Sequence, residues 1–325
     1  MTDLRAALEP ALAGIFGGPV EVLRLDAIGG GASMEIWALD AKTKDGTQEL
    51  IVRRAAGGRI YSDALSLEDE CKLLAAAHAG GVRVAKPFGY IPDLLGREAF
   101  VMERLRGETV GRRIVQRPEL AGARAALPAH MAEQLARIHA LDRAQLPFLP
   151  VPDPLAMLRA QLDDVGEPHP AVELGLQVLE KTLPRAGPRT VVHGDFRVGN
   201  LMVQPEGGLS GVLDWEFAHV GDPREDLGWL MVKAWRFRAD DLRLGGVAPP
   251  AAFLARYGEL TGRRVSEEEV RPFELLGNVR WAVGALSQAR RHLSGEERSV
   301  ELAVLGRLAC EMEHEILQLV EGSAT

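Results

Sequence analysis

Cysteine is scarce: Cys71 and Cys310 are the only two among 325 residues. That excludes a disulfide framework and most cysteine-rich metal sites. Both fall in stretches of helical spacing and are expected as small buried apolar residues. No run approaches the roughly 18–20 consecutive apolar residues of a bilayer span, so no membrane partner is expected. The first residues carry Asp3 and Glu9 without a basic stretch, which does not read as a secretory leader. A reducing, cytoplasmic setting is the expectation. Positive charge is short as well: 38 Lys and Arg against 46 Asp and Glu leave a net charge of −8. No basic footprint for nucleic acid results. The eight histidines form no H-x3-H or HExxH spacing. This argues against a metal-dependent hydrolase built on His193 and the nearby aspartates. Repeats and low-complexity segments are missing too.

What is present is ordinary globular material, 46% hydrophobic and 26% charged. A chain of 325 residues exceeds the roughly 250–300 at which single cores stop growing, so two lobes are expected. Leu4, Leu8, Leu12, Ile15 and Phe16 recur at helical spacing, and Gly17-Gly18 ends that helix. Segments 20–27, 34–40 and 48–54 read as strands, separated by Gly29-Gly30-Gly31 and by the Lys44-Asp45-Gly46 turn. A helix from Ser66 to Ala79 follows, with Ser66 and Asp69 as a capping box and Gly80-Gly81 as its stop. Two more strands, Val84–Ile91 and Ala99–Glu103, complete five strands with one inserted helix. Residues 105–110 read as a connector. Beyond Pro128 the pattern is mainly helical, with apolar stripes at Met131, Leu135 and Ile138, at Leu155, Leu158 and Leu162, and from Leu302 to Leu319. One island, Thr190–Asp214, breaks that pattern with three short β-like runs.

The island reads V-V-H-G-D-F-R-V-G-N-L-M-V, then G-V-L-D-W-E. Four residues separate Asp195 from Asn200, and Asp214 lies fourteen residues further on. An aspartate, an asparagine five positions later and an aspartate after a strand form the arrangement that protein kinases use for phosphoryl transfer. Mg²⁺ requires hard oxygen ligands, which an amide (Asn200) and a carboxylate (Asp214) supply. A further group must accept or orient the proton of the attacking hydroxyl, and Asp195 is the candidate. Taken singly, an Asp or Asn in a loop is a turn former, and His193 is either a satisfied core histidine or a brace for the loop. The joint spacing is what carries specificity.

On these residues the chain resembles the aminoglycoside phosphotransferase / choline kinase family. His193–Met202 resembles the family's H-G-D-x-x-x-x-N loop, Leu213–Glu216 its metal motif, and Gly221-Asp222-Pro223…Asp226-Leu227 the segment that follows. Within the family it is most similar to the branch whose domains are fused to acyl-CoA dehydrogenases, which suggests hydroxyacyl-CoA type acceptors. The resemblance implies an α+β, bilobal protein-kinase-like fold: a five-stranded antiparallel N-lobe with one inserted helix (1–104) and a mainly helical C-lobe (105–325). It implies ATP and Mg²⁺, with Asp195 catalytic and Asn200 and Asp214 on the metal. It also implies a nucleotide clamp. Gly29, Gly30, Gly31 and Ser33 occupy the place of a phosphate-binding hairpin, though a glycine triplet is also simply a flexible turn. Arg53 stands on the third strand where lysine is usual, and arginine grips phosphate bidentately; Arg54 belongs to the other face. Glu70 is the matching helix glutamate, with Glu68 competing. Met102 would back the adenine, and Glu103 and Leu105 would offer it backbone groups. Asp226 is expected to hold the catalytic loop through backbone amides, and Asp222 to cap a helix.

The partner implied is a small molecule carrying a hydroxyl. Trp229, Lys233, Trp235, Arg236 and Arg238, with Arg280, Trp281, Arg290 and Arg291, surround its expected place. Polycationic aminoglycosides call for an acidic cleft, and the one conspicuous acidic run, Glu267–Glu269, is accounted for as a helix start. An anionic or partly apolar acceptor fits better. A catalytically silent nucleotide-binding protein on the same fold is the alternative.

Overall fold

The computed structural model describes residues 2–30, 34–56 and 64–322. The chain opens with helix α1 (Thr2–Phe16), whose Leu4, Leu8 and Leu12 are buried one turn apart. Five antiparallel strands follow: β1 (Glu21–Gly30), β2 (Met34–Thr43), β3 (Gly46–Ala55), β4 (Pro87–Ile91) and β5 (Ala99–Glu103), in spatial order β1-β2-β3-β5-β4. Helix α2 (Leu67–Ala79) is inserted between β3 and β4. Ser66 caps it, its Oγ accepting from the Asp69 N–H at 3.1 Å.

Strand alternation decides the rest. On β3, Leu50 and Val52 join the core under α1, while Ile51 and Arg53 face the opposite side, toward the cleft. Arg54 lies on the α1 side, bound to Glu35 at 2.8 Å. One detail of the first hairpin differs from the sequence reading. Gly29 and Gly30 are not turn residues but end β1, paired with Ile36 and Glu35 beyond a bulge at Ala27–Gly29. Gly31, Ala32 and Ser33 lie outside the described residues.

The remainder is largely helical: α3 (Gly111–Gln116), α4 (Ala121–His139), α5 (Pro154–Val165), α6 (Pro170–Thr182), α7 (Arg224–Trp229), α8 (Pro250–Thr261), α9 (Glu267–Leu293) and α10 (Val300–Glu321). The island within it forms two small ladders, β6 (Thr190–Val192) with β9 (His219–Gly221), and β7 (Leu201–Gln204) with β8 (Gly208–Val212). Only β9 has no counterpart in the sequence pattern, its three residues being too short to alternate. The Glu267–Glu269 run opens α9 through a reciprocal capping box of Ser266 and Glu269.

Three apolar cores hold the molecule. One joins α1 to the outer face of the sheet. A second runs from α2 and Phe100 to Phe196, Val198 and Leu201 around the island. The third packs α5, α6, α9 and α10. Cys71 is buried as expected, but Cys310 is exposed, on the outer side of α10 rather than in a core. Among the described residues no helix is long and apolar enough to cross a membrane.

Candidate active site

Strand β6 ends at Val192 and delivers His193, Gly194 and Asp195 into a tight turn. Gly194 has φ +78°, and a Cβ there would strike the Phe217 carbonyl, so the turn requires glycine. Asp226 on α7, fully buried, holds the turn by accepting from the N–H groups of His193 (2.8 Å) and Gly194 (2.9 Å). It also bonds His139 Nε2 at 3.0 Å, and His139 Nδ1 meets the Tyr257 hydroxyl at 2.7 Å. Burial works against the charge on Asp226. The hydrogen bonds and the two histidines outweigh it and hold the carboxyl below the ordinary aspartate value.

His193 is entirely buried and braces the loop. Its Nδ1 accepts from the Asp195 N–H at 3.1 Å, so Nε2 carries the proton donated to the Leu213 carbonyl at 3.0 Å. Burial keeps this imidazole neutral by lowering its pKa. One side chain thus ties the Asp195 turn to the residue before Asp214.

The Asp195 carboxylate is fixed from three sides. Trp229 Nε1 donates to Oδ1 at 2.7 Å, Asn200 Nδ2 donates to Oδ2 at 2.6 Å, and Arg197 Nε lies 3.2 and 3.3 Å from the two oxygens. Asn200 Nδ2 also donates to the Asp195 carbonyl at 3.0 Å. With its nitrogen so engaged, Asn200 keeps its amide oxygen for another partner. Asp214 follows β8 with φ +66°, a left-handed backbone that only short polar residues and glycine adopt at modest cost.

Asn200 and Asp214 line a cleft of about 650 Å³ between the sheet and the helical part. Arg53, Glu70, Met102, Glu103 and Leu105 line it as well. Arg53 forms a buried ion pair with Glu70, and its guanidinium lies 5.5 Å from the Phe100 ring centre. Burial opposes the charge on Arg53, but Glu70, Asp214 and Glu216 outweigh it. Glu68, the competing glutamate, points outward and pairs with Lys72 at 2.9 Å. Ala38, Ile51, Leu74, Ala85, Met202 and Val212 give the cleft apolar walls. Met102 pairs with Ile51 across the ladder, and the chain leaves the sheet at Glu103 toward Leu105.

The donor set fits a hard divalent cation. Asp214 and Glu70 line the cleft, and Glu216 lies close enough to feel both of them and Asp195. Burial, then Asp214 and Glu70, pushes the Glu216 carboxyl up to about 7. Such crowding is relieved by a cation. Among the described residues no cluster of three or more His, Cys, Asp and Glu is poised to hold a metal. The protein therefore offers one amide oxygen and one carboxylate, the sparse set that suits Mg²⁺ carried in by phosphates.

A second cavity, about 210 Å³, opens on the other side of Gly194. Its walls include Met157, Leu158, Phe217, Trp229 and Leu276, with Arg280 among them. Arg280 donates to the Gly194 carbonyl at 2.8 Å and lies 4.8 Å from the Trp229 ring and 5.6 Å from Phe217. His219, bound to Glu225 at 3.0 Å, is part of the wall; that carboxylate outweighs burial and raises its pKa.

Of the basic and aromatic residues expected around an acceptor, Trp229 and Arg280 reach this cavity. Trp235 packs edge-on against Trp229 and beside the Arg197 guanidinium, and Lys233 pairs with Asp240 at 2.7 Å. Arg236 is buried against Glu274 (3.0 Å) and Glu315 (2.7 Å), Trp281 packs against the third core, and Arg290 and Arg291 pair with Asp164, Glu296 and Glu297 at the surface. Arg197, His139, Tyr257 and His219 escape a reading based on motif spacing. Arg197 occupies a variable position inside the motif, His219 falls between two motif segments, and His139 and Tyr257 come from distant segments that carry no motif of their own.

Comparison with known proteins bears on the family and the fold. The chain is 28% identical over 242 residues to the mouse acyl-CoA dehydrogenase family member 10, covering 69% of this chain and 22% of that protein. It spans about a quarter of the length of the curated relatives it matches. A crystal structure of a putative aminoglycoside phosphotransferase from Ralstonia eutropha superposes with a TM-score of 0.77 at 21% identity, covering 98% of both chains. The GDP complex of aminoglycoside 2'-phosphotransferase-IIIa gives a TM-score of 0.65 at 13% identity, covering 96% of this chain and 98% of that one. The fold is therefore protein-kinase-like. Residues 25–273 match the model of the phosphotransferase enzyme family, and the chain belongs to that family.

Proposed function

We propose that this protein is an ATP-dependent, Mg²⁺-assisted kinase that moves the γ-phosphoryl group to a hydroxyl of a small molecule. The observation that carries the reading is the locked pair of Asp195 and Asn200, 2.6 Å apart, on the edge of a cleft that also holds Asp214 and the Arg53–Glu70 pair. In this reading the part up to residue 104 clamps the nucleotide and the part from 105 onward carries the chemistry and the acceptor. Arg53 grips phosphate oxygens, while Met102 backs the base and the Glu103 and Leu105 backbone reads its edge. Asn200 and Asp214 would hold Mg²⁺, whose chemistry is to neutralise the phosphates. Asp195, held by Trp229 and Asn200, takes the proton of the acceptor hydroxyl. Most of the rate would come from positioning and charge, since phosphoryl transfer needs little covalent help from the protein.

The cavity beside Gly194 supports the finer choice of acceptor. Its walls are mainly apolar and its fixed charge nearest the loop is the Arg280 guanidinium. A polycation gains nothing there, whereas an apolar chain with an anionic or carbonyl group does. Hydroxyacyl-CoA-like acceptors therefore fit better than aminoglycoside-like ones. The acyl-CoA dehydrogenase names of the curated relatives point the same way.

The test is transfer from [γ-³²P]ATP across a panel of hydroxyacyl-CoA esters, aminoglycosides, choline-like amines and sugars. Asp195→Asn should abolish transfer with nucleotide binding kept. Asp214→Ala should abolish transfer and also weaken Mg·ATP binding. Full turnover by either variant would refute the reading. Tight Mg·ATP binding with no transfer or hydrolysis in the wild type would favour the silent binder.

A further inference from the structure

Arg197 has no role in the reading above, yet among the described residues it is the only cation touching Asp195. Resting on the kinase reading, we infer that Arg197 is a further catalytic residue: its guanidinium binds the phosphoryl group as it passes from nucleotide to acceptor.

Place is the first argument. Arg197 Nε sits against the Asp195 carboxylate. Its other end reaches Gly199, where an added Cβ would collide with Nη1. Gly199 lines the nucleotide cleft. A single side chain thus touches both Asp195, the proton acceptor of this reading, and a residue of the cleft lining. Trp235 supports it from below, with the guanidinium carbon 4.6 Å from the ring centre.

Spare capacity is the second. Neither Nη1 nor Nη2 makes a hydrogen bond to any described residue, so their donors are uncommitted. Arg53 commits Nη1 to Glu70 and Arg280 commits Nη1 to the Gly194 carbonyl, and neither touches Asp195. Arg197 is a quarter exposed, with a side-chain accessibility of 25%, so the group is reachable.

A purely orienting role explains less. Trp229 and Asn200 already fix the Asp195 oxygens at 2.7 and 2.6 Å, while Arg197 contributes one N–H shared between both at 3.2 and 3.3 Å. The weakest of three restraints is not needed for orientation. The chemistry, by contrast, needs a cation there. The acceptor oxygen bonds to the γ-phosphorus and passes its proton to Asp195. The bond from that phosphorus to the bridging oxygen breaks, and its electron pair leaves with the nucleoside diphosphate. Charge spreads over three equatorial oxygens meanwhile, and fixed donors aimed at developing charge are the largest single source of rate.

The experiment uses Mg·ADP with aluminium fluoride, which mimics the phosphoryl group in flight and requires no knowledge of the acceptor. In the wild type, fluoride should tighten ADP binding. Arg197→Met should lose at least about ten-fold of that gain while binding Mg·ADP alone as the wild type does, which also certifies its fold. Arg197→Lys should restore part. In an Asp195→Asn background the Met substitution should still remove the gain. The inference is overturned if R197M keeps the gain, or if its loss vanishes once Asp195 is replaced, since Arg197 then acts only through Asp195. A wild type that binds Mg·ADP with no gain from fluoride would instead bring down the kinase reading, and the inference with it.

Discussion

Asp226 shows how much one residue can organise from outside the chemistry. Its two oxygens take N–H groups from His193 and Gly194 and a bond from His139, all without solvent. An amide at this position would turn a donor toward donors. Asp226→Asn should therefore cost about 2–4 kcal/mol of stability, as for other broken buried charge networks, measurable by urea denaturation at neutral pH. The sign of its pH dependence follows from the depressed pKa. The stabilising contribution is complete above the ordinary aspartate range and is lost as pH falls through the folded value. The wild type should thus lose stability more steeply below about pH 4 than D226N does. At this scale the sequence was informative where a motif fixes the residue, as for Asp195, Asn200, Asp214 and Asp226. It was silent for His139 and Tyr257, because a hydrogen bond between α4 and α8 leaves no trace in local spacing.

The elements explain which of two similar residues does the work. Glu68 and Glu70 differ by two positions, about 200° around a helix, so only one can face β3. Glu70 is that one, buried against Arg53, and Glu68 is left on the surface with Lys72. Glu70→Gln removes the anion that orients Arg53 and should weaken Mg·ATP binding about ten-fold, a loss in the range of one charge-assisted hydrogen bond. Glu68→Gln should change it by less than about two-fold, as for exposed pairs. Calorimetric titration of both separates them; equal effects would place the clamp on the wrong residue. Long or strongly patterned elements were legible from residue order: α1, α2 and all five sheet strands carry clear periods and caps. Strand β9 was not, with three residues that pair only because β6 lies beside them. The C-terminal end of β1 is not legible in the sequence because glycines usually signal turns, whereas here they continue a bulged strand.

At the level of the whole molecule, the core beneath the cleft runs without interruption from α2 and Phe100 to Phe196, Val198 and Leu201. The inner face of the sheet and the 193–200 loop therefore stand on shared packing, and this continuity cannot be read from the separate apolar stripes of the sequence. The same holds for the cavity beside Gly194, where α5, α7 and α9 supply walls far apart in the chain. Global stability is also where the backbone of Asp214 is felt. Its left-handed conformation, φ +66°, suits glycine better than any residue with a Cβ. Asp214→Gly should be more stable than Asp214→Ala by about 1 kcal/mol, read from urea midpoints, though neither transfers phosphate. Heat resistance and turnover thus make opposite demands on position 214. A lineage of this chain released from the need for a carboxylate there could drift to glycine without a backbone penalty.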